Sequence, residues 1–446
     1  MATGADRLEL LRQGKLAGCA ELDLTGLGLS EFPLEVLALA PSLVKLDLSR
    51  NALSALPDEI ASLTNLEILF CSSNHFAVFP AAIAACPRLS TVAFKQNKMS
   101  RIPKGALSPS LRWLILTDNQ INALPEDIGV CTRLEKLMLA GNSLTRLPDS
   151  LARCSKLALL RISANKFSHF PRVLGELPNL TWLAFAGNAF SNDQADRLLR
   201  QEGFDVPPIQ WNNMELHEKL GEGASGVIYR ANWSKSEGEV IKTAVKLFKG
   251  AVTSDGLPHN EMQASLLSAS HSHTNLIPIL GQIVGHPQSA EGLVFALIAP
   301  TYTNLAGPPS MTTCTRDVYP EGTAFSPEAT LACVQGIAAA ASHLHARGIA
   351  HGDLYAHNIL IDAATGHALL GDFGAASPFD PTDDGICGTV VRRAEARALG
   401  FLIEEMLLLT TTEAGPLVEG MRAARTLCDK AGVSSNEIAM ALGRLA

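Results

Sequence analysis

Long apolar runs, paired cysteines, a basic surplus and low-complexity tracts are all missing from this 446-residue sequence. No stretch reaches the roughly 18 unbroken apolar residues of a spanning helix. The most apolar candidate, Phe401–Leu409, is interrupted by Glu404 and Glu405. The first segment, Met1 to Leu24, carries acids among its apolar residues and no apolar h-region, so a secretory signal is not expected. The nine cysteines contain no Cys-x-x-Cys pair, which argues against a zinc ribbon or a disulfide framework and for a reducing compartment. A net charge of −8 gives no basic footprint for nucleic acid. Charged residues at 18% against 47% hydrophobic exclude a disordered chain. A cytoplasmic protein without a membrane span is expected. The length exceeds one ordinary core, so two domains are expected.

What is present falls into two halves. Between Leu22 and Asn188 the sequence repeats with a period of about 23 residues. Asn51, Asn74, Asn97, Asn119, Asn142, Asn165 and Asn188 mark one position; Pro57, Pro80, Pro103, Pro125, Pro148 and Pro171 mark another. An earlier, degenerate unit at Leu22-Asp-Leu24 keeps Pro33, which makes about eight units. Each short strand, such as Leu137-Met-Leu139, points alternate side chains inward. The Asn can bond turn backbone, and the Leu-Pro pair starts the return path. No unit buries its apolar face alone, so the units must stack. Cys86, Cys131 and Cys154 occupy a position held elsewhere by Leu63 and Leu177, which makes them small buried apolar residues.

The pattern resembles the leucine-rich repeat family over roughly residues 20 to 190. That resemblance implies an α/β solenoid whose concave face binds a protein ligand. Lys45, Asp47, Glu67, Lys136 and Arg161 are expected on that face, as ligand contacts or as ordinary solvated side chains. Trp113 and Trp182 fall just before a strand leucine. Each reads equally as a contact hot spot or as lateral packing between repeats. Asp193 to Gly203 reads as a capping helix, and the Pro-Pro pair within 204–209 breaks regular structure. The expected organisation is therefore 1–203 repeats with caps, 204–213 linker, and 214–446 a second domain.

The second half is organised around His351-Gly-Asp-Leu-Tyr-Ala-His-Asn358 and Asp372-Phe-Gly374. Metal-assisted phosphoryl transfer needs one carboxylate beside the accepting hydroxyl. It also needs an amide oxygen and a second carboxylate to hold Mg²⁺ over nucleotide phosphates. Upstream, Gly221-Glu-Gly223-Ala-Ser-Gly226-Val227 lies between two strand-like stretches, and Ala244-Val-Lys246 follows. A lone G-x-G-x-x-G is weak, and a following helix would suggest dinucleotide binding; here a strand follows.

That order resembles the eukaryotic-type protein kinase family, an α+β bilobal fold. The resemblance implies ATP and Mg²⁺ as cofactors and a protein substrate. Leu220, Gly221, Glu222, Gly223, Ala224, Ser225, Gly226, Val227 and Ile228 would cover the nucleotide. Lys246 would pair with its phosphates and Glu261, in a helix over His259–Ser268, would hold that lysine. Asp353 would be the catalytic aspartate, with Asn358 and Asp372 holding the metal. His351 takes the family's structural histidine position. Leu293–Ile298 is expected as a strand leading to a hinge near Ala299–Thr303, Asn304 to Phe325 as an irregular insertion, and Ser326–Arg347 as a long apolar helix.

Several positions depart from the family. Gly352 replaces the Arg that receives an activation-loop phosphate, so dependence on phosphorylation within Ser377–Thr389 is expected to be weak. Tyr355 replaces the lysine of serine/threonine kinases, and His357 stands where tyrosine kinases place an Arg. A protonated His357 or a solvent-facing spacer are both open readings. No Ala-Pro-Glu follows Gly388-Thr389, and Glu395 to Gly400 resembles the start of the central C-lobe helix; the alternative, Ala394-Glu395 as a remnant of Ala-Pro-Glu, is less favoured by the spacing to Gly400. The reading is a leucine-rich repeat kinase, serine/threonine by preference. A nucleotide-binding pseudokinase scaffold and a small-molecule phosphotransferase are the alternatives.

Overall fold

The computed structural model describes residues 4–202, 206–269 and 272–445. The chain divides into two compact units, Met1–Leu180 and Thr181–Ala446.

The first unit opens with helix α1 (Gly4–Arg12) and continues through seven three-residue strands. These are β1 (Glu21–Asp23), β2 (Lys45–Asp47), β3 (Ile68–Phe70), β4 (Thr91–Ala93), β5 (Trp113–Ile115), β6 (Lys136–Met138) and β7 (Leu159–Arg161). Each pairs in parallel with the next, with Leu22, Leu46, Leu69, Val92, Leu114, Leu137 and Leu160 in register. Those central residues are buried, so the inner file of the sheet is continuous hydrocarbon.

The recurring Asn does more than turn the chain locally. Asn74 accepts the Leu53 N–H at 2.9 Å and donates to Leu48 O in the preceding repeat and Cys71 O in its own. Asn97, Asn119, Asn142 and Asn165 repeat the bridge. The result is a buried amide ladder that satisfies turn backbone in two repeats at once. Pro57, Pro80, Pro125, Pro148 and Pro171 each precede a short 3₁₀ turn. Cys86, Cys131 and Cys154 end three of these turns, each Sγ 3.4 Å from a carbonyl one repeat back. Burial pushes their thiols up to about 11, 12 and 11, so they pack as hydrophobes.

The face expected to be solvated is partly tied down. Glu67 pairs with Arg88, and Lys45 reaches Glu21 at 3.2 Å. Lys136 is buried, its ammonium 4.5 Å from the Trp113 ring centre, and Arg161 is buried too. Trp113 is half-buried and directs its indole N–H to the Met138 sulfur at 3.4 Å, which is the lateral-packing reading.

The second unit begins with β8 (Trp182–Ala184), the eighth repeat strand, and α2 (Ala189–Glu202). The boundary expected at 203/204 therefore differs from the observed division at 180/181. The physical reason is that Trp182, Leu183, Phe185, Ala186 and Gln194 meet residues beyond 340, as described below. Residues 203–205 of the expected junction lie outside the described residues. The rest of the expected linker is not a linker. β9 (Pro208–Gln210) pairs in parallel with β13 (Ile279–Val284), and Ile209 enters a core with Ala231, Val245 and Val294. Proline is tolerated as the first residue of an edge strand, so the Pro-Pro pair does not prevent pairing.

The sheet of this unit runs β10 (Met214–Glu222), β11 (Gly226–Ser236), β12 (Glu239–Phe248), β14 (Gly292–Ala296), β13 and β9. The first three form an antiparallel meander, and β14 follows α3 (Pro258–Ala269) and β13. A helical lobe follows β15 (Tyr302–Asn304). It holds α4 (Pro327–Ala346), β16 (Ile349–Ala350), β17 (Ile359–Asp362), β18 (Ala368–Leu370), β19 (Ser377–Pro378), α5 (Ile386–Leu408), α6 (Pro416–Leu427) and α7 (Ser435–Gly443). Ser326 caps α4 by accepting the Ala329 N–H at 3.1 Å, with Pro327 as first helical residue. Among the described residues, no helix is long and apolar enough to cross a membrane.

One expectation is corrected here. Glu395 does not start the central helix; α5 begins at Ile386, so residues 386–389 are helical rather than loop. Asp383 makes this start possible, its carboxylate accepting the N–H groups of Gly385 (2.7 Å) and Gly388 (2.9 Å).

Candidate active site

The turn between β10 and β11 carries the glycines. Gly226 is required by proximity: a Cβ there would lie 2.6 Å from Leu247 O. Around Gly221 and Gly223 nothing lies within 4 Å of such a Cβ, so the loop leaves open space. Lys249 ties the loop down through Glu222 (2.7 Å) and Gly223 O (3.1 Å). Hydrogen bonds from Lys249 and Lys219 lower the Glu222 carboxyl to about 2.

Below the loop lies a cavity of about 480 Å³. Leu220, Ile228 and Ala244 wall it from the sheet, Ile277, Leu360 and Phe373 from the opposite side, and Lys246, Glu261, Asp372 and Arg230 supply its charge. Of the nine loop residues singled out in the sequence, Leu220 and Ile228 belong to this wall and the intervening seven do not. Lys246 on β12 is ion-paired with Glu261 on α3, and Glu261 is only 4% exposed. Burial and the charge of Asp372 raise the Glu261 pKa against the opposing pull of Lys246.

The loop 351–358 is held from several sides. His351 is fully buried; its Nε2 lies 2.9 Å from Gly371 O, and its Nδ1 accepts the Asp353 N–H at 3.3 Å. Those two contacts fix the orientation of the ring beneath the loop. Asn358 directs its amide nitrogen to Asp353 O and Oδ2, both at 2.9 Å, which turns its carbonyl oxygen away from Asp353. Asp372 has a left-handed backbone (φ +55°) and accepts the Gly374 N–H at 3.0 Å. A non-glycine residue held there is the kind of local strain that folds keep at functional sites. Asn358 Oδ1 and the Asp372 carboxylate are hard oxygen donors of the type Mg²⁺ takes, and the open glycine loop and Lys246 fit a polyphosphate.

Three groups at this site were not legible beforehand. Asp317, inside the irregular insertion, accepts the backbone N–H of His357 at 3.0 Å and lies 2.7 Å from its Nδ1. Burial pushes the His357 pKa down, but the Asp317 bond and the charges of Asp317, Asp353 and Asp372 outweigh it, and the net is raised. His357 is thus neither solvated nor a spacer. Glu395, buried in α5, accepts the Gly352 N–H at 2.7 Å and lies 3.4 Å from His345 Nε2. Ser377, fully buried, accepts the N–H groups of Phe185 (2.9 Å) and Ala186 (3.2 Å). Its residue type carried no signal. Asp317 is one of three charged residues in the insertion, with Arg316 and Glu321, and nothing in the sequence sets it apart from them.

Comparison with known proteins agrees with this geometry. Residues 214–389 match the family model for protein tyrosine and serine/threonine kinases; residues 42–63 and 132–190 match leucine-rich repeat models. The chain therefore joins leucine-rich repeats to a protein kinase domain. Among curated proteins it is similar to mouse leucine-rich repeat and calponin homology domain-containing protein 1, 32% identical over 126 residues, 27% of this chain and 17% of that protein. Toll-like receptor 9 of Felis catus is 36% identical over 111 residues, covering 22% of this chain and 11% of the receptor. Adenylate cyclase of Schizosaccharomyces pombe is 36% identical over 99 residues, 22% of this chain and 6% of the cyclase. The chain thus spans less than a fifth of the length of these relatives.

Proposed function

We propose that the chain is an ATP- and Mg²⁺-dependent protein kinase that transfers the γ-phosphoryl group to a serine or threonine hydroxyl. The observation that carries this reading is that the Lys246–Glu261 pair and Asp372 line one cavity, beside which Asn358, bonded to Asp353, accepts the N–H of the lining residue Gly371 at 3.0 Å. Lys246 and the glycine loop would position ATP, Asn358 and Asp372 would hold Mg²⁺, and Asp353 would accept the hydroxyl proton. The remaining repeats would select a protein ligand on their concave face, in a cytoplasmic setting.

His357, held by Asp317, would supply the positive charge that Tyr355 does not. His357→Ala is expected to lower transfer about 10- to 100-fold, and His357→Arg to recover most of it. Equal rates in both variants and wild type would remove this role.

A second reading, a nucleotide-binding scaffold, draws on the short stretch between Gly374 and α5, which leaves little chain to dock a peptide. The experiment is label transfer from [γ-³²P]ATP with Mg²⁺ to the chain itself and to generic protein substrates, followed by identification of the phosphorylated residue. Phosphoserine or phosphothreonine supports the proposal. Phosphotyrosine changes the class, and ATP binding without transfer favours the scaffold.

A further inference from the structure

Two departures from the kinase pattern, Gly352 and Tyr355, lie together with Ser377 under the eighth repeat strand. Gly352 has φ +73°, and a Cβ there would lie 2.6 Å from Ala375 O and 2.7 Å from Leu183 O in β8. An arginine at 352 could not coexist with β8 at that distance. Tyr355 is 5% exposed and stacks on Trp182, ring centres 4.1 Å apart and planes 9° from parallel. Trp182 is itself 2% exposed, stacks on Phe401 of α5 from 5.6 Å, and donates its indole N–H to Leu354 O at 3.2 Å. Ser377, just beyond Asp372-Phe-Gly374, takes the backbone N–H groups of Phe185 and Ala186 on its hydroxyl. Gln194 of α2 adds a bond to Phe379 O at 3.4 Å.

We infer that β8 is a positioning element of the phosphoryl-transfer site, with Trp182 as its principal positioning residue. Trp182 holds Leu354 and Tyr355, the two residues after Asp353, by one hydrogen bond and one ring stack. Ser377 fixes the stretch after Asp372 to the same strand. The loop carrying Asp353 and Asn358 and the stretch following Asp372 are thereby set against a common support supplied by a leucine-rich repeat. A phosphate received by an arginine at 352 is not needed to order them. The two positions that look degenerate from a kinase standpoint are shaped to receive β8, glycine for backbone approach and tyrosine for stacking, and Ser377 adds an acceptor for two of its N–H groups. Trp182 touches neither nucleotide site nor metal donors, so its effect passes through loop geometry.

The catalytic part of this inference rests on the kinase reading; the positioning part does not, and the test separates them. In the full-length chain, Trp182→Ala is expected to speed amide exchange across 352–358 at least tenfold while leaving β11 and β12 protected as in wild type. It is also expected to lower kcat on the order of ten- to a hundred-fold with KM for ATP within about twofold, because a displaced loop costs rate rather than nucleotide binding. Trp182→Phe, which keeps a ring on Tyr355 without the indole N–H, should recover part of both. Wild-type exchange in Trp182→Ala, or faster exchange spread evenly over the whole second unit, would overturn the inference. If wild type transfers no phosphate, the kinase reading fails while the exchange pattern still decides whether β8 orders the loop.

Discussion

Lys246→Met is expected to abolish detectable phosphoryl transfer and to destabilise the second unit by about 3–5 kcal/mol, because it strands a buried carboxylate. Glu261 is already held above its ordinary pKa by burial and by Asp372, with Lys246 as its opposing charge. Removing the ammonium raises that pKa further, so the loss is largest at alkaline pH and shrinks as Glu261 takes up a proton. Adding Glu261→Leu should return most of the stability and none of the activity, since the pair orients a phosphate-binding group. Denaturant melts of the two single variants and the double variant, at pH 6 and pH 8, check this. A double variant that regains transfer would show that the pair has no part in the reaction.

Glu395→Ala carries the second large effect. Its Oε1 is the acceptor for the Gly352 N–H, and its Oε2 faces His345. Truncation removes a buried charged acceptor from the Gly352 N–H, a loss of about 1–3 kcal/mol, and opens a void in α5's packing face. Because Gly352 precedes Asp353, transfer should fall with stability, and Glu395→Gln, which keeps an acceptor, should retain more of both. The carboxylate also gives a pH signature. Burial raises its pKa, but His345, His351 and the Gly352 N–H together hold it below its ordinary value. A carboxyl lowered on folding contributes stability above its unfolded pKa and loses it as pH falls through the folded value. Wild type should therefore shed this contribution below the ordinary carboxylate range, near pH 4, while Glu395→Gln lacks it throughout. Parallel acid slopes in thermal melts of the two would contradict the assignment.

Much of this architecture is readable in one dimension because its causes are local or periodic. The Asn and Pro files announce the repeats since each repeat must satisfy the same turn. Ser326-Pro327 announces α4 because capping is a short-range event. Lys246, Glu261, Asp353, Asn358 and Asp372 are recognisable by order and spacing. What escaped depends on contacts far apart in sequence. Trp182 and Leu354 are 172 residues apart, and Ser377 meets Phe185 across 192. Asp317 reaches His357 from a segment without periodicity. The start of α5 is hidden because it rests on Asp383, whose carboxylate accepts the Gly385 and Gly388 N–H groups. Ile209 was misjudged because two prolines mask a single buried strand residue.

The most direct test of the central claim is Mg²⁺-dependent incorporation of label from [γ-³²P]ATP into protein, measured side by side for the wild-type chain and Asp353→Asn. Asparagine preserves the shape of the aspartate but cannot take the hydroxyl proton. Wild-type incorporation that drops roughly 10²- to 10⁴-fold in the variant, with ATP binding retained, is the predicted result. Equal incorporation in both chains, or none in wild type under conditions where ATP binds, would contradict it.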